Sequence, residues 1–573
     1  MARWRINLIS TFLLLFGVVL VGRLFYIQII KGDFYKALAQ GLYGTETQII
    51  GERGEIFFKN GEPLAINTDW PLVFSSPIEV KEKEIAAEKL AEILSLGEES
   101  KLSSLSFADA REGEEDKSSS SPFATVQAAK DFILEKLRKD NLYEPIKKKI
   151  SDEEIQKIKE INLTGIYLGK EAGRYYPQGT LASQLIGFVD ANSQGQYGIE
   201  DYYDEILQGR RDQQGKDIFL TVDYSIQFRA EKLLEQAKEN LDIEGGEIIV
   251  MNPNSGEILA LANFPNFNPN QYSAVSDFKI FENGVTQKIF EPGSVFKPIT
   301  MAGALEEQKI TPQTTYLDPG VVEFDGWPIY NYGQRVYRGE TTAEITMTEV
   351  LEKSINTGAV FAEEKLGHDS FLRYLDKFGF FKLTGIDLQE VYSENREFKK
   401  GYEINFATAS FGQGIEMTPI QLIRAYSAVA NGGKLVAPYV VKKIINGEEI
   451  SEVAPKIEED SIISSKTAAQ LTAMLVSVVE NGFAKSARIP GYYVAGKTGT
   501  AQISFAALEV EKKGYSDKTW QSFVGFTPAF NPGFIILVKL NNPKTKTAEY
   551  SAAPIFQDLA KYIVDYYQIP PDY

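Results

Sequence analysis

The chain of 573 residues contains no cysteine and a single histidine, His368. Without thiols there is no cysteine nucleophile, iron–sulfur cluster, thiolate zinc site or disulfide. With one imidazole, a Ser-His-Asp hydrolase or a two-histidine metal site would have to be built around His368. That residue lies in Leu366-Gly367-His368-Asp369-Ser370, just past the helix-like run Val360–Leu366, where a polar side chain is ordinary. Any base for hydrolytic or acyl-transfer chemistry is therefore expected to be something other than histidine. Positive charge is also in deficit. Sixty Lys and Arg against 78 Asp and Glu leave a net charge of −18, which argues against neutralising a nucleic-acid backbone. The 43% hydrophobic and 24% charged fractions are those of a globular protein. The length accommodates about three folded units at ~100–200 residues each, and no repeat with a period of about 20–50 residues is visible.

An apolar start is present. Arg3 and Arg5 precede Ile6–Gly22, which carries no charge, and Leu24–Ile30 extends the run past Arg23. About 17–25 such residues span a bilayer as a helix, and Arg23 is able to snorkel to the interface. A cleaved signal peptide is the other reading. Its small-residue site, Ala37-Leu38-Ala39, lies far beyond an apolar region already longer than the usual ~7–15 residues. The expectation is an uncleaved single-pass anchor over residues 1–32, with a cytoplasmic N-terminus and the bulk outside the plasma membrane.

Residues 33–215 mix strand-like and helix-like runs without an obvious catalytic cluster. Within them, residues 97–122 include Arg111–Lys117 and Ser118–Ser121, a charged and serine-rich stretch that reads as a solvated insertion. Lys147-Lys148-Lys149 reads as a solvated helix face. From 216 to 573 the texture changes. Asp217–Val222 reads as a strand, Tyr224–Leu241 as an amphipathic helix, and Glu247–Ala262 as a hairpin turning at Asn252–Gly256. Strand-like runs return at Tyr492–Ala495, Ser522–Phe526 and Gly533–Lys539, and Gln557–Tyr567 closes as a helix. Strands at both ends with helices between predict an α+β fold with helices packed on an antiparallel sheet.

Chemistry gathers in three places. Glu291-Pro292-Gly293 turns into an apolar-periodic run carrying Ser294 and Lys297, which share a face at a spacing of three. A serine hydroxyl attacks well only once its proton is removed, and a neutral lysine can take it. Bringing a lysine from ~10.4 to neutrality needs a shift of roughly three units, about 4 kcal/mol of desolvation and nearby positive charge. Ser354-Ile355-Asn356 falls between two helix-like stretches, and Lys497-Thr498-Gly499-Thr500 lies on a strand-like run. There Gly499 would let a peptide backbone approach, with Lys497 and Thr498 pointing at its carboxylate. Two rival matches, Ser276-x-x-Lys279 and Ser393-x-Asn395, lie in polar or charged surroundings and read as surface.

The order Ser-x-x-Lys, Ser-x-Asn, Lys-Thr-Gly is the motif set of penicillin-binding proteins and serine β-lactamases. Nearly the whole chain resembles the class B penicillin-binding proteins, the monofunctional peptidoglycan transpeptidases. Arg53-Gly54-Glu55-Ile56, Asn60-Gly61 and Leu64-Ala65 are similar to the membrane-proximal motif, although Phe58-Lys59 stands where Asp-Arg is usual. Arg174-Tyr175-Tyr176-Pro177, Gly187-Phe188 and Gly198-Ile199-Glu200 are similar to pedestal motifs. Phe411–Gly414 with Thr418-Pro419 and Gln421, Ala430–Gly433 and Trp520–Pro528 resemble the catalytic domain. Glu291-Pro292-Gly293 and Ile569–Asp572 look more like the division branch than the elongation branch.

The resemblance implies an anchor (1–32), an elongated mixed α/β pedestal or dimerisation-type domain (33–215) and a serine β-lactamase-like transpeptidase domain (216–573). It implies that Ser294 attacks the penultimate D-alanine carbonyl of a stem peptide and that Lys297 accepts its proton. Ser354 would relay a proton to the leaving amine, Asn356 would bind the donor backbone or hold Lys297, and Lys497 with Thr498 would bind the terminal carboxylate. Gly499 and Thr500 would line the substrate strand, with the amides of Ser294 and Thr500 as oxyanion hole. No metal or cofactor is required, and β-lactams would acylate the same serine. A SEDS-family glycan polymerase and other divisome or elongasome proteins are the implied partners. The competing readings are a membrane-anchored D,D-carboxypeptidase or β-lactamase-like hydrolase, and a non-catalytic wall-assembly scaffold.

Overall fold

The hairpin expected around Asn252–Gly256 forms, with Gly245–Met251 antiparallel to Ile258–Phe264. In the computed structural model, which describes residues 3–26, 52–94, 122–209, 214–324, 326–334 and 343–573, that hairpin joins three later strands. The sheet runs Ala495–Ser504, Tyr515–Thr527, Phe534–Asn541, Gly245–Met251, Ile258–Phe264, with every neighbour antiparallel. Phe534 to Leu540 is buried throughout, as an apolar run covered on both faces must be. Helices Tyr224–Leu241 and Ala552–Tyr566 pack on the sheet and on each other, and so do Pro419–Ala430 and Ser465–Glu480. The first of these starts where Asp223 accepts from the amides of Ser225 (2.9 Å) and Ile226 (3.2 Å). Its Ile226, Ala230, Leu233, Leu234 and Ala237 turn inward at helical spacing.

The chain divides into two units. The larger holds Gly54–Ile66, Tyr176–Gln208 and Gly215–Tyr573. In it Ile56–Phe57 runs parallel to Ile218–Phe219, and Asp217–Leu220 pairs antiparallel with Val441–Asn446. Phe58 is buried edge-on to Tyr224, and Lys59 forms an ion pair with Glu257 at 3.4 Å. The unusual Phe58-Lys59 pair thus keeps both a packing and an ionic role.

In the smaller unit, Leu72–Ser75 pairs with Glu144–Lys148. Helices Lys83–Ile93, Pro122–Leu137 and Asp152–Ile161 enclose a core that includes Val73, Leu90, Ile133, Ile146 and Ile158. Lys147 to Lys149 do not form the expected helix face. Glu144 and Ile146 are buried at alternating positions in the strand Glu144–Lys148, and Lys149 leaves it at φ 54°, with Lys147 on Glu154 (2.7 Å) and Lys148 on Glu171 (2.9 Å). The insertion expected at 97–122 falls, apart from Pro122, outside the described residues. At the N-terminus Arg3–Phe25 is helical. Among the described residues no helix is long and apolar enough to cross a membrane; residues 27–32 of the expected anchor lie outside them.

The sheet register places Lys539 opposite Glu247, and the two join at 2.8 Å with side chains 3% and 4% exposed. Removing one partner of a buried pair strands the other charge, at a cost of about 3–5 kcal/mol, whereas apolar replacement of both is far milder. Urea unfolding should therefore show Lys539→Met or Glu247→Leu each losing that much, and the double variant losing less than either alone. A double variant equal to the sum of the singles would contradict the pairing.

Candidate active site

Pro292-Gly293 delivers the chain into a 3-10 turn, Gly293–Phe296, that passes directly into the helix Lys297–Glu306. Residues i and i+3 eclipse in a 3-10 turn, which is how Ser294 and Lys297 come to share a face. Gly293 sits at φ 62°, and a Cβ there would lie 2.9 Å from the Cβ of Ala501, so a side chain is excluded on two counts. The turn is braced from behind. The Gly293 amide donates to the Gly412 carbonyl (2.9 Å), the Tyr426 hydroxyl to the Val295 carbonyl (2.5 Å) and the Thr300 hydroxyl to the Ser410 carbonyl (2.7 Å).

Ser354 occupies a tight corner between the helices Met347–Glu352 and Asn356–Leu366, at φ 54°. A left-handed conformation costs a non-glycine residue about 1–2 kcal/mol. Here it turns both the carbonyl and the hydroxyl of Ser354 toward the wholly buried Lys297. The Lys297 Nζ reaches the Ser354 carbonyl at 2.7 Å, the Asn356 Oδ1 at 2.8 Å and the Ser354 Oγ at 3.3 Å. From the opposite side the Lys497 Nζ donates to the Ser354 Oγ at 3.0 Å and to the Thr498 carbonyl at 2.9 Å. Ser-x-x-Lys, Ser-x-Asn and Lys-Thr-Gly therefore meet around one hydroxyl.

Two of the Lys297 contacts are to oxygens that can only accept. A neutral amine has two N–H groups and one lone pair; with both hydrogens on those acceptors, the lone pair is left facing the Ser354 hydroxyl at 3.3 Å, open to a proton. Burial pushes Lys297 well below the ordinary lysine range, and the charge of Lys497 pushes it further. Lys497, also wholly buried, is lowered by desolvation to about 7.

Lys497 to Thr500 lie on the strand Ala495–Ser504, an edge of the five-stranded sheet. Gly499 has a reason within the fold itself. A Cβ there would fall 2.9 Å from the Pro292 carbonyl, 2.9 Å from Val295 Cγ1 and 2.6 Å from Ser522 Oγ. The missing side chain makes room for the serine turn itself. The Thr500 hydroxyl accepts from the Ala548 amide at 3.2 Å.

The rivals stay outside this cluster. Lys279 is exposed and bound to Glu509 at 2.7 Å, and Ser393 donates to Glu416 at 2.9 Å. The ring of His368 stacks on Phe406 and joins Glu363 (2.7 Å) and Glu403 (2.9 Å). Burial alone would lower its pKa, but the two glutamates outweigh that and raise it. Two supports escaped the sequence reading because they are backbone carbonyls: Ser354's own, and that of Tyr330, which accepts from the Asn356 Nδ2 at 2.9 Å. Glu291, the buried carboxyl just ahead of the serine turn, is pushed up to about 7 by burial and accepts from the Tyr515 hydroxyl.

With lysine εC labelled in 13C, both Lys297 and Lys497 should titrate far below pH 10. Replacing Lys497 with Met removes its charge and should move the Lys297 midpoint upward. Two midpoints near the free-lysine value of ~10.4 would refute the described electrostatics.

Residues 246–561 match the family described as Penicillin binding protein transpeptidase domain, and residues 48–218 match the Penicillin-binding Protein dimerisation domain. Stage V sporulation protein D of Bacillus subtilis is 32% identical over 96% of this chain and 84% of its own length. Peptidoglycan D,D-transpeptidase FtsI of Escherichia coli K12 is 26% identical over 99% of this chain and 93% of its own. Among solved structures, the apo form of penicillin binding protein 3 from Mycobacterium tuberculosis superposes with a TM-score of 0.67 at 24% identity, covering 91% of this chain and 98% of that one. Catalytic-domain match, dimerisation-domain match and near full-length similarity agree: the chain belongs to the penicillin-binding protein transpeptidases.

Proposed function

We propose that this protein is a peptidoglycan D,D-transpeptidase working through an acyl-enzyme on Ser294. The observation that carries the reading is the Lys297 amine, buried beside Lys497 and pinned by two acceptor-only oxygens, which leaves a lone pair for a serine proton. The Ser294 Oγ attacks the carbonyl of the penultimate D-alanine while its proton passes to Lys297 Nζ. The negative oxygen of the tetrahedral intermediate is received by the backbone amides of Ser294 and Thr500, donors that need no reorganisation. As the C–N bond breaks, the Ser354 hydroxyl hands a proton to the leaving D-alanine nitrogen and is resupplied from the lysines on either side. Asn356 holds Lys297 and the donor backbone; Lys497 and Thr498 receive the terminal carboxylate. Gly499 and Thr500 offer the substrate an edge strand. An amine of a neighbouring stem peptide then attacks the ester carbonyl, loses its proton to Lys297 and completes the cross-link, returning Ser294 to its hydroxyl form.

The finer reading is a division-type enzyme in septal wall synthesis. Its supports are the Glu291-Pro292-Gly293 entry to the serine turn, the Ile569–Asp572 terminus and the likeness to a sporulation protein and to FtsI. Residues 1–32 would anchor it in the plasma membrane with a cytoplasmic N-terminus, residues 33–215 would form the pedestal, and residues 216–573 would work outside. A SEDS-family glycan polymerase and other divisome proteins would meet it there, and β-lactams would acylate it.

Mass spectrometry of the protein treated with penicillin should place one adduct on the peptide bearing Ser294, and Ser294→Ala should abolish it. An adduct that survives in Ser294→Ala would overturn the reading. Decay of the adduct within seconds would favour the hydrolase over the transpeptidase.

A further inference from the structure

The helix Asn356–Leu366 begins at a site residue, yet its N-cap is Ile355, which has no side-chain acceptor to give. Elsewhere in the chain Ser151, Thr346, Thr418 and Ser464 cap their own helices in the ordinary way. Here the acceptor comes from another element. The Thr357 amide donates to Asn331 Oδ1 at 3.1 Å. Asn331 directly follows the strand Trp327–Tyr330, whose last carbonyl holds the Asn356 Nδ2. Two consecutive residues, Tyr330 and Asn331, therefore grip two consecutive residues of the first helical turn.

What grips Asn331 is Asp318. The Asn331 Nδ2 donates to both carboxylate oxygens at 3.1 Å. The Thr357 hydroxyl donates to Asp318 Oδ1 at 2.7 Å, and the Gly320 amide reaches the same oxygen at 2.9 Å. With its proton committed to the carboxylate, Thr357 Oγ1 is left to accept from the Tyr316 hydroxyl at 3.1 Å. Asp318 is fully buried and lies at the positive end of the helix, where a carboxylate is favoured.

We infer that Asp318, through Asn331 and Thr357, is the positioning residue that sets the first turn of the Asn356–Leu366 helix and thereby aims Asn356 Oδ1 at the Lys297 amine. The inference rests on the transpeptidase reading and adds to it a group remote from the substrate. The consequence is specific. If Asn356 swings away, Lys297 loses one of the two acceptors that orient its lone pair. The protonated amine loses more than the neutral one, because hydrogen bonds to charged groups are about twice as strong. The lysine should then titrate lower still while reacting more slowly.

The test uses the full chain with Asp318→Asn, Thr357→Val and Thr357→Ser, a fluorescent penicillin, and 13C titration of Lys297. Thr357→Val removes the hydroxyl at nearly constant volume; Thr357→Ser retains it. We expect Asp318→Asn and Thr357→Val to slow acylation roughly 10–100-fold, as loss of outer orienting partners does, and to lower the Lys297 midpoint. Thr357→Ser should retain both parent values. A packing defect alone would lower the melting temperature without moving the midpoint, and that result would overturn the inference. Should Asp318→Asn fail to fold, the Thr357 pair decides. Unchanged rates in variants of a parent that labels normally at Ser294 would sink this inference alone, whereas a parent that does not label there would sink the transpeptidase reading.

Discussion

One amine shut off from solvent governs the arrangement. Lys297 is wholly enclosed, is held by the Ser354 carbonyl and Asn356 Oδ1, and faces a second buried lysine across the Ser354 hydroxyl. A folded protein does not place two lysines in that position for stability, since each ammonium would be costly to bury. Burial and the charge of Lys497 favour the neutral form of Lys297, and the neutral form is the one that can take a proton from serine. The penalty on the cation and the power of the base are the same free energy.

The scaffold serves that enclosure. Val295, wedged against Gly499, and Gly293, tight on Ala501, bring the serine turn hard onto the edge strand. The carbonyls of Gly412 and Ser410, which accept from Gly293 and Thr300, and the Tyr426 hydroxyl, which donates to Val295, prevent it from lifting. The strand is fixed in turn by continuous pairing through Tyr515–Thr527 and Phe534–Asn541 to the hairpin near position 250. Residues nearly three hundred positions apart are thus set by sheet register, while the Ser354 corner is set by two helix ends and a strained backbone angle. A shift in either would separate the two amines from the hydroxyl between them.

Much of this was legible beforehand. The helix over Tyr224–Leu241 and the hairpin at Asn252–Gly256 follow from periodicity and turn chemistry, and the motif set singled out Lys297, Ser354, Asn356 and Lys497, whose side chains meet. The lysine run at 147–149 misled because charge says nothing of period, and Ile146 and Ile150, four apart, fit a helix as readily as a strand; the pairing with Leu72–Ser75 decides it. Gly499 was singled out for one close approach, and the fold shows another, that of the serine turn; a glycine announces a close approach without saying what approaches. The carbonyls of Ser354 and Tyr330 carry no letter in a sequence, and the Asp318–Asn331–Thr357 chain joins residues that share no motif. Such partners become visible only when the fold places them.

The central claim is that the nucleophile is activated by a lysine held neutral near physiological pH. It is tested most directly by the second-order rate of penicillin acylation at Ser294, followed across pH 5 to 11 by intact-protein mass. The account predicts a rate that rises through an ionisation well short of the free-lysine value of ~10.4 and falls again as Lys497, lowered to about 7, loses the charge that receives the carboxylate. A rate that continues to climb in step with hydroxide beyond pH 10 would mean that solvent, not Lys297, removes the proton, and the account would fail.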